Sequence, residues 1–171
     1  DIHTGAPPVA GVEAVAKQAP RIAVAELADG EVFMVRGSPG LVSGSLSDAG
    51  LTLVPEVIDG NFGASLSWLP DLDGDGFDEM LIGSPAFAEG GAGGGAVYFI
   101  YGDAAAAGAT LSMADLDTNG ARFIGKEGDD LGAALLGLTD MDKDGIPDFL
   151  LGAPQESSGG TGIFFPVTGA H

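Results

Sequence analysis

The stretch DLDGDGFDEMLIGSP, residues 71–85, decides the fold because a similar stretch recurs later in the same chain. Its near copy, DMDKDGIPDFLLGAP, begins at residue 140, which is 69 residues after the start of the first stretch. Repetition of a whole sequence unit at a constant offset indicates a repeat architecture. Similar segments frame both copies: NFGASL at 61–66 and LGAAL at 131–135 come before, and GAVYFIYG at 95–102 and TGIFFP at 161–166 come after.

Short apolar runs ended by glycine make up each copy, and the chain holds 30 glycines. This pattern is typical of strands joined by turns and predicts an all-β fold. A degenerate third copy lies upstream, where residues 21–26 and 30–37 match the two strands after each acidic loop. Residues 13–21 lack the alternating carboxylates and carry two cations, so we expect no metal there.

Each copy reads as four short strands: one before the acidic loop, one after it, an aromatic strand bounded by glycine, and an outer strand such as 121–124. Four antiparallel strands per repeat predict a β-propeller blade. We therefore predict one propeller segment over 1–171, with a degenerate blade at about 9–60, a second at about 61–128 and an incomplete third at about 129–171.

Three blades do not close a ring, which typically needs about 4 to 8. An open stack of three would expose a sheet face about as large as a blade interface. We therefore expect the chain to be a partial propeller completed by the remaining blades of a larger chain, or one that closes by self-assembly.

The charge balance excludes several classes of partner. Against 25 acidic residues there are only 6 basic ones, a formal charge of -19. This predicts no binding to nucleic acid. No apolar run approaches the roughly 20 residues that a membrane-spanning helix needs, so we expect no membrane insertion. The windows 71–79 and 140–148 hold five and four of the acids, a crowding that a bound cation would relieve.

The spacing within these windows fits a hard cation such as Ca²⁺, which takes about six to eight oxygen ligands from a tightly turning loop. Carboxylates stand at positions 1, 3, 5 and 9 of each loop, a glycine at position 6 permits the turn, and position 7 can offer a backbone carbonyl. The predicted ligands of two calcium sites are Asp71, Asp73, Asp75, Phe77 and Glu79 in the first loop and Asp140, Asp142, Asp144, Ile146 and Asp148 in the second.

Two other interpretations of the loops are weaker. An EF-hand needs an acid at position 12 and flanking helices, but Ile82 and Leu151 stand there in β-type apolar runs. Plain Asp/Gly turns between strands would explain one copy. They explain two copies in register poorly.

These framed loops, with Phe62-Gly63 or Leu131-Gly132 before them and a Gly-x-Pro segment after them, resemble FG-GAP repeats. Such repeats build the β-propeller of integrin alpha chains and occur in many bacterial secreted or surface proteins. The resemblance covers about residues 61–168 well and 9–60 weakly. It implies calcium bound through side chains at positions 1, 3, 5 and 9 and the carbonyl at 7.

The chain departs from that family pattern at two points. Glu79 stands where the family more often has Asp, and Asp78 beside it is a possible substitute. Lys143 places a positive charge inside the second loop. Which acid completes the first site is therefore left open by the sequence.

Two further segments carry residues typical of binding sites. Residues 115–120, DLDTNG, have the first three acidic or amide positions but Phe123 at position 9, so we interpret them as an Asx-rich turn. The glycine run at 90–95 lacks the Gly-Lys-Ser/Thr of a phosphate-binding loop, so we predict a flexible loop between strands.

Catalysis is poorly supported. The two histidines, His3 and His171, lie at the ends of the sequence, and the paired carboxylates are committed by their spacing to metal. Trp68 and the aromatic strands at 97–101 and 163–165 could stack on sugars but are more often core at strand positions.

We therefore predict a non-catalytic, calcium-binding propeller scaffold that binds an unidentified protein or glycan ligand outside the cell, secreted or on the cell surface. Calcium affinities of such extracellular modules lie at about 10⁻⁴ to 10⁻³ M. The alternatives are a structural accessory module of a secreted hydrolase and a lectin-like carbohydrate binder.

Overall fold

The computed structural model describes residues 21–26, 30–36, 50–102, 110–154 and 163–167. Over these ranges the chain forms β-strands and short 3-10 turns, the latter at Ile58–Gly60, Met113–Asp115 and Asp117–Asn119. The strands are β1 (Arg21–Glu26), β2 (Glu31–Arg36), β3 (Leu51–Val54), β4 (Ser65–Leu69), β5 (Glu79–Ser84), β6 (Ala96–Ile100), β7 (Thr110–Ser112), β8 (Gly120–Ile124), β9 (Ala134–Gly137), β10 (Phe149–Ala153) and β11 (Ile163–Val167).

The strands form three sheets, which confirms the predicted all-β propeller blades with an incomplete last one. The first blade has the order β1-β2-β3-β7, the second β4-β5-β6-β8 and the third β9-β10-β11. All pairs are antiparallel except β3 with β7. The part of the degenerate copy that precedes β1, residues 9–20, lies outside the described ranges.

The β7 strand departs from the repeat. It lies in the range predicted for the second blade, yet it pairs in parallel with β3 of the first, with Leu53 opposite Leu111. The pairing satisfies backbone groups that the edge of β3 would otherwise present unpaired. Leu111 also packs against the core between these two blades. The short strand therefore ties the first blade to the second.

The second blade is buried on both faces, as the alternation of side chains along a strand requires. Every residue of β5 is buried. Met80 and Ile82 face the first blade, and Leu81 faces the third. The first core cluster comprises Val32, Met34, Leu51, Leu53, Phe62, Met80, Ile82, Phe87, Ala96, Tyr98, Ile100, Met113 and Leu116. The second comprises Leu69, Leu81, Val97, Phe99, Leu131, Phe149, Leu151 and Ala153.

The seam between the second and third blades brings two backbones into direct contact. A Cβ on Gly83 would lie 2.0 Å from the carbonyl oxygen of Gly132, so only glycine fits there. Polar bonds add to the seam: the Ser65 hydroxyl donates to Gly132 O over 2.6 Å, and the Gly137 amide donates to Ser67 Oγ over 2.8 Å. The glycines of the framing motifs thus allow close packing between blades.

The glycine run at 90–95 is part of the same seam, and the prediction of a flexible loop was wrong. Its carbonyls accept hydrogen bonds from the segment that leads into the third blade, for example Gly93 from Asp130 over 2.8 Å and Gly94 from Leu131 over 3.1 Å. A Cβ on Gly90 would lie 1.9 Å from Gly125 O. The run is rich in glycine because two chain segments approach closely there.

A charged cluster joins the first and second blades through side chains near β3 and β8. Arg122 in β8 forms ion pairs with Glu56, which follows β3, and with Glu89, the latter at 2.9 Å. Its guanidinium also lies 5.5 Å from the centre of the Phe87 ring. Through its ion pair with Glu56, Arg122 links the second blade to the first.

Candidate metal centres

The two acidic loops occupy equivalent places in neighbouring blades. Residues 70–78 connect β4 to β5, and residues 138–148 connect β9 to β10. Because β4 and β9 are the corresponding strands of their sheets, both loops lie at the same end of the blades.

In the first loop, carboxylates close the turn by accepting backbone amides, as Asx turns do. The two oxygens of Asp71 accept from Gly74 N over 2.7 Å and from Gly76 N over 2.9 Å. Asp73 accepts from the amide of Asp75 over 3.1 Å, and Asp75 from that of Phe77 over 2.7 Å. Each of these three carboxylates is therefore held by the loop it closes.

The second loop repeats this network almost bond for bond. Asp140 accepts from Lys143 N over 2.6 Å and from Gly145 N over 2.9 Å. Asp142 accepts from the Asp144 amide over 3.1 Å, and Asp144 from that of Ile146 over 2.8 Å. Lys143 contributes its backbone amide to the turn, and the loop has the same hydrogen bonds with this charged residue in place.

Backbone conformation explains the glycines. At position 6 of the loops, φ is +89° for Gly76 and +94° for Gly145, in the left-handed region that favours glycine. At position 4, Gly74 has φ +81° and Lys143 has φ +68°. The second loop therefore holds a bulky residue in a conformation that costs it free energy.

Position 9 is filled by a buried acid in both loops. Glu79 is 0% exposed and Asp148 is 2% exposed. Each accepts the amide of position 2 of its own loop, Leu72 N to Glu79 Oε2 over 2.7 Å and Met141 N to Asp148 Oδ2 over 2.6 Å. In the first loop Glu79, and not Asp78, is among the carboxylates that converge, so the assignment of Glu79 as the last ligand stays a prediction that this geometry favours.

The carboxylates of the first loop converge. Asp71, Asp73, Asp75 and Glu79 each offer an oxygen, and these atoms lie within 4.8 Å of one another. Two full negative charges at 4.8 Å repel by about 1 kcal/mol in bulk water and by about 3 kcal/mol at an effective dielectric constant of about 20. Without a cation this arrangement is therefore destabilising.

In the second loop Asp140, Asp142 and Asp148 converge in the same way, and Asp144 does not join them. Oδ2 of Asp144 is nevertheless buried without a hydrogen-bond partner. The backbone carbonyls predicted as ligands, those of Phe77 and Ile146, stay predictions.

Burial shapes the electrostatics of Glu79. Loss of hydration raises the pKa of this carboxyl from 4.5 to about 7, and the nearby Asp73 and Asp71 add to the rise. The amides of Leu72 and Gly102 oppose it. The ionised carboxylate has lost its hydration, and its buried Oε1 accepts no hydrogen bond. A positive charge beside this oxygen would therefore stabilise the ionised form.

The donor set fits a hard divalent cation. All side-chain donors are carboxylate oxygens, which Ca²⁺ prefers, and buried oxygens of Glu79, Asp144 and Asp148 have no hydrogen-bond partner. The sequence found these acids but missed the amides of Leu72 and Met141, which fix the position 9 carboxylates. The only signal was the recurrence of an apolar residue at position 2.

Within the described ranges, the other candidate residues lie in turns or pack against the core. Residues 113–119 form two 3-10 turns ahead of β8, which agrees with the Asx-rich turn interpretation. Trp68 is half-buried, lies opposite Met80 and packs against the first core cluster. The buried aromatic residues of β6 belong to the two core clusters. His3 and His171 lie outside the described residues.

Comparisons with known proteins agree with the geometry. Residues 62–100 and 131–164 match the family described as FG-GAP repeat. Integrin alpha-7 of Mus musculus is 29% identical over 145 residues, which covers 78% of this chain and 12% of that protein. Integrin alpha-7 of Homo sapiens is 30% identical over the same length and with the same coverage. The chain thus spans about an eighth of the length of these relatives.

Among the described residues, no helix has both the length and the apolarity needed to cross a bilayer.

Proposed function

Because this chain carries two FG-GAP repeats of the integrin alpha type, we propose that it is a calcium-binding propeller segment that serves as a non-catalytic scaffold for adhesion or ligand binding outside the cell. The observation that carries the proposal is the buried carboxylate at position 9 of both loops, with one oxygen bonded to the loop and the other without a partner. Such an oxygen is available to a cation.

Asp71, Asp73, Asp75 and Glu79 would hold one calcium ion, and Asp140, Asp142, Asp144 and Asp148 a second. Calcium supplies positive charge that offsets the repulsion between the carboxylates and so stiffens the end of each blade. A rigid scaffold of stacked sheets then presents its connecting loops to a macromolecular ligand. The half-buried packing of Trp68 supports this scaffold role over sugar stacking.

Thermal unfolding in excess chelator and in calcium tests the proposal. With a Kd of about 10⁻⁴ M, 10 mM calcium stabilises the folded state by about 3 kcal/mol per site. Two sites together raise the melting temperature by about 10 to 20 °C in a chain of this size. The double variant Asp73→Ala/Asp142→Ala should melt at one temperature in both buffers. A wild-type melting temperature that ignores calcium would refute the proposal.

A further inference from the structure

Leu72 belongs both to the first acidic loop and to the seam between the second and third blades. Its neighbours Asp71 and Asp73 are members of the converged carboxylate group, and its amide donates to Glu79 Oε2 over 2.7 Å. Its half-buried side chain packs against the second core cluster, to which both blades contribute. The position of this side chain is therefore tied to the geometry of the loop.

Met141 occupies the same position in the second loop and provides a natural comparison. It also lies between two converged carboxylates, Asp140 and Asp142, and its amide donates to Asp148 Oδ2 over 2.6 Å. Its side chain, however, is 68% exposed. The two loops thus share one backbone geometry, but of their two position 2 side chains only that of Leu72 packs against a core cluster.

A cation therefore has different consequences in the two loops. Without it, four carboxylates within 4.8 Å repel one another and favour an expanded first loop, which moves Leu72 relative to the cluster. With it, the loop closes and Leu72 is held against the second core cluster, to which both blades contribute. Since the bound cation and the docked blade stabilise the same loop conformation, each strengthens the other by the same factor.

Resting on the calcium binding proposed above, we propose that occupancy of the first loop, and not of the second, controls how tightly the third blade docks on the second. Leu72 is the residue that couples the two events. The seam contains a direct reporter, because the Gly137 amide of the third blade donates to Ser67 Oγ of the second. The neighbouring amide of Leu138 donates to Asp148 O and reports on the second loop instead.

Amide hydrogen exchange measured by NMR, with calcium as the only added ligand, tests the coupling. Exchange is measured in the wild type and in four single variants that form two matched pairs. Asp73→Ala is compared with Asp142→Ala, and Leu72→Ala is compared with Met141→Ala. Calorimetry counts the ions each variant binds. Calcium should slow exchange at Gly137 about tenfold or more in the wild type, Asp142→Ala and Met141→Ala, an ordinary size for coupling between sites.

Asp73→Ala should lose this slowing because its first loop cannot fill. Leu72→Ala should still bind two ions yet show less than about a twofold effect at Gly137, well below the range of ordinary coupling. Slowing in Leu72→Ala equal to the wild type, or equal loss in Asp73→Ala and Asp142→Ala, would overturn the coupling. Calcium uptake with unchanged Gly137 exchange would overturn it too and leave the proposed function standing, whereas no uptake would overturn both.

Discussion

Replacing Glu79 by Gln should make the calcium-free protein more stable at pH 8 and leave it unchanged near pH 4. The carboxyl is fully buried, and its pKa rises from 4.5 to about 7 in the folded state. Below pH 4.5 it is protonated in both the folded and the unfolded chain and contributes nothing. Between pH 4.5 and 7 only the unfolded chain ionises, so stability falls as the pH rises.

Above pH 7 the full penalty applies, and the difference in pKa corresponds to about 3 kcal/mol. Gln keeps an oxygen that can accept the Leu72 amide but carries no charge, so the variant avoids this loss. The other carboxylates are the same in both proteins, and the comparison therefore isolates Glu79.

Urea denaturation in chelator at pH 4, 6 and 8 provides the measurement. The Glu79→Gln variant should gain on the wild type by up to about 3 kcal/mol between the lowest and highest pH. Saturating calcium should reverse the order at pH 8, because the charged carboxylate of the wild type binds the ion more strongly than the neutral amide oxygen of Gln does. A wild type and variant whose stabilities change in parallel with pH would refute the reasoning.

Three further substitutions test the loop, the seam and the ion pairs by urea denaturation. Gly76→Ala should cost about 1 to 2 kcal/mol through its φ of +89° alone, since nothing lies within 4 Å of the new Cβ; no cost would mean that the turn relaxes. Gly83→Ala should cost about 3 kcal/mol or more, because its Cβ would lie 2.0 Å from Gly132 O; a smaller cost than that of Gly76→Ala would contradict the close seam. Arg122→Gln removes the pairing with Glu56 and should cost about 1 kcal/mol in low salt and less in 1 M salt; an equal cost in both would argue against an electrostatic role.

The sequence predicted the parts of the structure that depend on local chemistry. Alternating carboxylates with glycine at position 6 specified a tight loop in both copies, and the constant offset between copies specified equivalent blades. Residues such as Leu81 and Phe99 could be assigned to core strands because their apolar runs lie between glycines.

What the sequence could not predict depends on tertiary placement. The convergence of Glu79 with the loop carboxylates depends on β5, whose first residue, Glu79, lies opposite Leu69 and is buried. The parallel addition of β7 depends on the open edge of β3, which no local pattern records. The glycine run at 90–95 looked flexible because its partner segment, 125–131, lies some thirty residues further along the chain.

The most direct test of the central claim is calorimetric titration of chelator-stripped protein with calcium, repeated on Asp142→Ala. Two ions per chain in the wild type and one in the variant is the predicted result. No calcium uptake at millimolar concentration would mean that the two loops are only turns and would contradict the account.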